Sequence, residues 1–218
     1  MKVQQIIYLS VLTISMVLSW WCNKGNKSLK LFPLLLSIAV LTEGIVNVAY
    51  FALGYTKEQY QPIYHVYIPI EYTLLASYFY LEVKNNFVKK LILISIPLFL
   101  ISSFVISSNI GFEKYVGANL NAEGILLIAW SLYMLFTLEV KYNVSIFRLP
   151  IFWICLGILL YHAGTFFYNG IYNYIEHKWP TTASNLTYSV NKGLNILLYV
   201  FFSIAFVCSN QMRKYTSL

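Results

Sequence analysis

The sequence predicts an all-α protein, a polytopic membrane bundle of seven transmembrane helices with its N-terminus outside and its C-terminus cytoplasmic. Three observations carry that expectation. Of 218 residues, 59% are hydrophobic and only 11% are charged, against about 25% charged in a soluble domain. So much apolar surface has nowhere to go in a water-soluble fold of this size. Seven stretches are apolar over roughly the 20 residues that a helix needs to cross the hydrocarbon core. The loops between them alternate between basic-rich and basic-poor, which is how insertion sets sidedness.

The first stretch, 5–22, follows Lys2 and could pass for a secretion signal. It ends Ser19-Trp20-Trp21-Cys22, with no small-x-small cleavage site, and so reads as a retained helix. The second, 31–54, opens on Phe32-Pro33, where proline suits a first turn. The third is 62–83. The fourth, 91–108, is the shortest, and Pro97 is expected to kink it. The fifth is 120–140. The sixth, 150–169, opens on Leu149-Pro150, and the seventh is 186–208. Connections such as 23–30 and 84–90 are too short to hold a domain. Residues 1–218 therefore read as a single seven-helix transmembrane domain with no soluble domain.

Charge gives the orientation. Ten of the fifteen basic residues (Lys24, Lys27, Lys30, Lys84, Lys89, Lys90, Lys141, Arg148, Arg213 and Lys214) fall on one side of this plan. Lys2, Lys57, Lys114 and Lys178 fall on the other, and Lys192 lies inside the last apolar run. The basic-rich side is the cytoplasmic one. The net charge of +7 thus reads as topology, and no nucleic-acid partner is expected. The first partner is the lipid bilayer of the inner or plasma membrane. Trp20, Trp21 and Trp179 fall at its expected interfaces. Cys22, Cys155 and Cys208 match no metal spacing and read as apolar filler.

The halves also echo each other. Phe32-Pro33 and Leu149-Pro150 open the second and sixth helices, which carry Glu43 and His162 at similar depth. Glu71 precedes Tyr78, and Lys192 precedes Tyr199, by the same seven residues. Two parallel three-helix repeats joined by the fourth helix would satisfy this register, an arrangement known in transporters.

The polar residues within the spans single out a site. An ionisable group in the bilayer costs roughly 2.5 kcal/mol or more and needs a partner or a cavity. Glu43 and Asn47 share one face of the second helix, four residues apart. Glu71 lies in the third, and Asn119, Asn121 and Glu123 open the fifth. His162, Thr165 and Asn169 form a stripe on the sixth, and Tyr188, Asn191, Lys192 and Asn195 line the seventh. Counted at about 1.5 Å per residue, nearly all fall in the outer half of the membrane. The expected ligand-binding set is Glu43, Asn47, Glu71, Glu123, His162, Asn191, Lys192 and Asn195, around an outward-facing polar pocket, with Glu71 and Lys192 as the central ion pair.

Each has a bland alternative. Glu123 is close enough to the outer interface to be solvated, and His65, Glu82 and Glu139 read as interfacial. His162 could be a packing histidine, and the asparagines could be interhelical glue. The nineteen tyrosines show no pattern in the sequence.

Binding or transport of a small polar or charged molecule from outside is the leading function. The three-one-three plan resembles the SWEET sugar transporters in topology alone. No Pro-Gln motif occurs, and no residue is carried over. A retinal protein would share the orientation, the length and a seventh-helix lysine, Lys192, but position 188 is Tyr instead of a carboxylate. A metal-dependent intramembrane hydrolase could draw on His162, Glu43, Glu71 and Glu123, but Lys192 beside them would oppose a cation. No nucleophile motif is present, which leans against an enzyme, and no cofactor is expected. A membrane effector controlled by a cytoplasmic protein partner, or acting as a homo-oligomer, completes the set.

Overall fold

The computed structural model describes residues 3–22, 27–139, 145–178 and 180–216, and it is all-helical. Among the described residues, seven α-helices follow in order: α1 (Val3–Cys22), α2 (Leu31–Phe51), α3 (Lys57–Glu82), α4 (Asn86–Ile110), α5 (Gly117–Phe136), α6 (Pro150–Lys178) and α7 (Pro180–Thr216). A 3-10 turn, Ile146–Arg148, precedes α6. Lys2, Lys24, Lys141 and Trp179, which entered the topology argument, lie outside the described residues, as do the side chains of Tyr188, Arg213 and Lys214.

Among the described residues, six helices are long and apolar enough to cross a membrane: α1, α2, α4, α5, Pro150–Asn169 of α6 and Ser189–Met212 of α7. That content marks an integral membrane protein. The expected third span is the exception. At 26 residues, α3 is about 39 Å long, enough to cross, but it carries Glu58, Gln59, Gln61, His65, Glu71 and a series of tyrosines.

The helices group into two compact units, Met1–Gly25 with Ile128–Leu218, and Asn26–Leu127. Helix α1 groups with α6, α7 and the end of α5, and α2, α3 and α4 group with the start of α5. In the first unit α7 packs against both α6 and α1. The buried residues of α1 are Gln5, Tyr8, Leu12, Ser15, Ser19 and Cys22. Their alternating spacing of three and four is that of a coiled-coil seam, and its small members let helix backbones close up. On α6, a methyl group at Gly164 would come within 2.8 Å of Leu194, so glycine sets the approach of α7 there. Helix also replaces an expected loop. Residues 170–178 and 180–188 are helical, so α6 and α7, at 29 and 37 residues, both exceed what a core of about 30 Å requires.

In the second unit α3 packs against α2 and α4. The Gln59 side chain accepts the Thr56 N–H at 2.8 Å, fixing the start of α3. Asn85 caps α4 by accepting from Phe87 N–H at 2.8 Å and Val88 N–H at 3.4 Å. Gly111, at φ 99°, ends α4 in a conformation that a side chain disfavours. Pro62 and Pro69 sit inside α3 and Pro97 inside α4. Helix continues through all three, as neighbouring helices allow in membrane bundles.

Candidate ligand site

The tyrosines acquire a pattern once α3 is seen as a cylinder. Tyr60, Tyr64, Tyr67 and Glu71 recur at intervals of four, three and four, and so share one face. The Tyr64 hydroxyl donates to Glu43 Oε1 of α2 at 3.1 Å, and the Tyr67 hydroxyl donates to Glu71. Glu43 lies within electrostatic range of Glu71, and Glu71 within range of Glu123 on α5. Three carboxyls from three helices of one unit thus form a linked set. The amide of Asn47 is turned back on its own helix, donating to the Glu43 carbonyl at 2.6 Å.

Glu123 is the most unusual member. It is 0% exposed, and no protein donor reaches either carboxyl oxygen. Solvation at an interface, its bland alternative, does not describe it. One turn earlier on α5, Asn119 is also buried, with its Oδ1 lacking a donor, and Gln61 Oε1 on α3 is in the same state. A buried polar group without a partner costs about 1–3 kcal/mol in protein mutational data. All three lack the same thing, a donor. No Lys or Arg occurs between Lys30 and Lys57, between Lys57 and Lys84, or between Lys90 and Lys114.

Aromatic rings continue the acidic face toward the end of the unit where α2 finishes and α3 starts. Tyr64 meets Tyr60 with ring centroids 6.4 Å apart, Tyr60 meets Tyr50 at 6.4 Å, and Tyr50 meets Phe51 at 4.8 Å, all edge to face.

The other face of α3 is a structural seam. His65, near the start of α3, is 5% exposed. Its Nδ1 lies 2.7 Å from Ser107 Oγ and its Nε2 lies 3.0 Å from the Lys114 carbonyl. A carbonyl only accepts, so Nε2 carries the hydrogen, and in the neutral ring Nδ1 accepts from Ser107. Asn119 Nδ2 donates to Ser107 Oγ at 2.9 Å and to the Ser103 carbonyl at 3.4 Å. Lower on the seam, the Tyr72 hydroxyl and Ser95 Oγ are 2.6 Å apart. Ser95, Ser103 and Ser107 are all buried on α4, a spacing visible in the sequence but easily lost in an apolar run.

The remaining expected residues belong to the first unit. Lys192 Nζ sits 3.8 Å from the centroid of the Tyr8 ring, within cation–π range, and Tyr8 is buried. Asn191 is half-buried on α7. Asn195 donates to the Asn191 carbonyl at 2.8 Å, and Thr165 donates to the Tyr161 carbonyl at 2.9 Å, each within its own helix. His162 is 4% exposed and meets the Tyr161 ring edge-on at 4.8 Å. Its imidazole makes no hydrogen bond among the described residues. Glu43, Asn47, Glu71 and Glu123 thus share one unit, while His162, Asn191, Lys192 and Asn195 share the other. The expected Glu71–Lys192 pair has one member in each unit.

Among the described residues, no three of the His, Cys and Glu side chains gather closely enough to hold a metal ion. Compared with protein families, curated proteins and solved structures, the chain matches none.

Proposed function

We propose that the chain crosses the inner or plasma membrane seven times, with its N-terminus outside, and binds or transports a small polar or charged molecule that enters from outside. Glu43, Glu71 and Glu123 are the core of the site. Glu123 carries this reading: a carboxyl buried with both oxygens unpartnered is costly in any fold and costlier in a bilayer. A protein retains such a group when something other than its own side chains uses it.

Counting α3 as the seventh span is supported by its packing against α2 and α4 and by its length. Its polar groups meet protein partners such as Glu43, Ser95 and Ser107. With seven crossings and the basic loops in the cytoplasm, the end where α2 finishes and α3 starts faces outward. The three acids then lie between the membrane centre and the outer surface. The other classes have less support. A zinc hydrolase lacks a ligand set among the described residues. A retinal protein needs its lysine amine for the Schiff base, and the Lys192 ammonium is stacked on Tyr8.

The reading requires water to reach the acids from one side. In a protein with Cys22, Cys155 and Cys208 replaced by Ala, Glu71→Cys is expected to react with a membrane-impermeant cationic thiol reagent added outside. Ile70→Cys, at an exposed position of the same helix, should not react if lipid covers it. Labelling of Glu71→Cys only from the cytoplasmic side, or from neither side, would overturn the proposal.

A further inference from the structure

We infer that the ligand of this site is a small protonated amine, held by Glu123 and reached along the tyrosine face of α3. The inference rests on the binding function proposed above and adds to it the chemistry of what is bound.

Three independent features converge on an N–H-bearing cation. The first is the sign of the charge. Glu43 and Glu71, and Glu71 and Glu123, repel each other whenever both are ionised, and within their own unit the membrane segments of α2, α3 and α4 contribute no Lys or Arg. An anion would add to that repulsion, and a neutral sugar would leave it in place. A single positive charge relieves it.

The second feature is the hydrogen-bond balance. Glu123 Oε1 and Oε2, Asn119 Oδ1 and Gln61 Oε1 are all buried acceptors to which the protein supplies no donor. Asn119 and Glu123 are four residues apart on α5, hence one above the other on the same face. Ser103 Oγ, the other unpartnered buried side-chain atom described in this unit, is a hydroxyl that can accept as well as donate. A ligand that satisfies these acceptors must donate several hydrogen bonds. An alkylammonium group, with up to three N–H donors and no acceptor, has that composition. A quaternary ammonium has the charge but no donors.

The third feature is the route. Phe51, Tyr50, Tyr60 and Tyr64 form an unbroken edge-to-face series that ends where Tyr64 donates to Glu43. Aromatic faces attract cations at about 0.5–2 kcal/mol each, depending on desolvation. A metal ion would gain little from the rings, and the acids are not gathered to ligate one. An organic ammonium gains from the rings and the acids alike.

The test uses the full chain, purified in detergent, with thermal unfolding followed by tryptophan fluorescence at constant ionic strength. The probes are ethylammonium, tetramethylammonium, glycine and propionate. Ethylammonium is expected to raise the melting temperature saturably. Tetramethylammonium should bind more weakly, and propionate should not bind. Glu123→Gln keeps the shape and removes the charge, and it should weaken ethylammonium binding about tenfold or more, as loss of a charge-assisted hydrogen bond does. Glu43→Gln, at a half-buried position, provides a second variant should Glu123→Gln fail to fold, with a smaller weakening expected. Absence of a saturable ethylammonium effect, or an effect unchanged in both variants, overturns the inference. A saturable glycine or propionate effect lost in Glu123→Gln also overturns it while leaving a binding site standing. The proposed function itself fails only by the labelling of Glu71→Cys.

Discussion

Replacing Glu123 by leucine should stabilise this protein, contrary to the usual sign for a buried position. The magnitude follows from what the side chain does in the fold. It is 0% exposed and receives no hydrogen bond at either oxygen, so Glu123→Leu breaks no bond. The carboxyl costs about 1–3 kcal/mol as an unpaired neutral group, or roughly 2.5–3.5 kcal/mol as a charge deep in the membrane. Leucine is similar in size and leaves little cavity or strain, and its removal of the acid also ends the repulsion from Glu71. The expected net gain is about 1–3 kcal/mol. It can be read from SDS-driven unfolding in mixed micelles, followed by circular dichroism and extrapolated linearly. The same variant should lose amine binding, which is the pattern of a site whose residues are held at the expense of stability. A loss of stability greater than about 1 kcal/mol would mean that Glu123 has a donor in the resting protein, and the unpartnered carboxyl would cease to be an argument for a ligand.

Two further outcomes test the frame around the site. Ser107→Ala should destabilise by about 1–3 kcal/mol, because it strands His65 Nδ1 in a buried seam and leaves Asn119 Nδ2 only its longer bond to the Ser103 carbonyl. Tyr72→Phe, which removes one interhelical bond to Ser95, should cost less, about 0.6–1.7 kcal/mol, and equal effects in the same unfolding assay would mean that Ser107 holds no more than one bond's worth of the seam. For topology, Lys178→Cys in the background without native cysteines should label from outside and Lys89→Cys should not, whereas the reverse pattern would invert the bundle and turn the acids inward.

Composition and hydropathy made the helical membrane class legible, and six of the seven expected spans coincide with helices of sufficient length and apolarity. The departures have physical causes. A loop was expected at 170–185 because its polar residues end the apolar run, yet hydropathy reports where lipid stops, not where a helix stops. Helices α6 and α7 continue through that region because backbone hydrogen bonds do not depend on side-chain polarity. His65 was assigned to the interface from depth alone. Its burial depends on Ser107 and Asn119, 42 and 54 residues away in the chain, and no local pattern announces that meeting. Lys192 suggested an ion pair because the sequence offers acids at matching depth. Its contact with the ring of Tyr8, a seam residue on the first helix, is one that depth could not single out.

The case of α3 shows why the site and the least legible span coincide. The face that carries Tyr60, Tyr64, Tyr67 and Glu71, together with Gln61 and His65, lowers the hydropathy of this helix below that of a simple membrane span. In an isolated helix those groups would each have to be desolvated at several kcal/mol for the charges. Against α2 and α4, Tyr64 finds Glu43 and His65 finds Ser107, as Tyr72 finds Ser95, so α3 shields much of its polarity only as part of its unit. The tyrosines hold Glu43 and Glu71 by direct hydroxyl bonds and leave Glu123 as the acid with no protein donor. Two carboxyls tied down and one left open is an arrangement with orientation: the bound pair sets the negative field, and the open one receives the incoming donor. It also orders the variants. Tyr64→Phe should loosen Glu43 and weaken amine binding only a few-fold, by about one neutral-donor hydrogen bond, whereas Glu123→Gln removes the receiving charge itself. Equal losses from the two substitutions, measured by the same ethylammonium titration, would mean that the acids act as an undifferentiated cluster and would remove Glu123 from its place at the centre of the site.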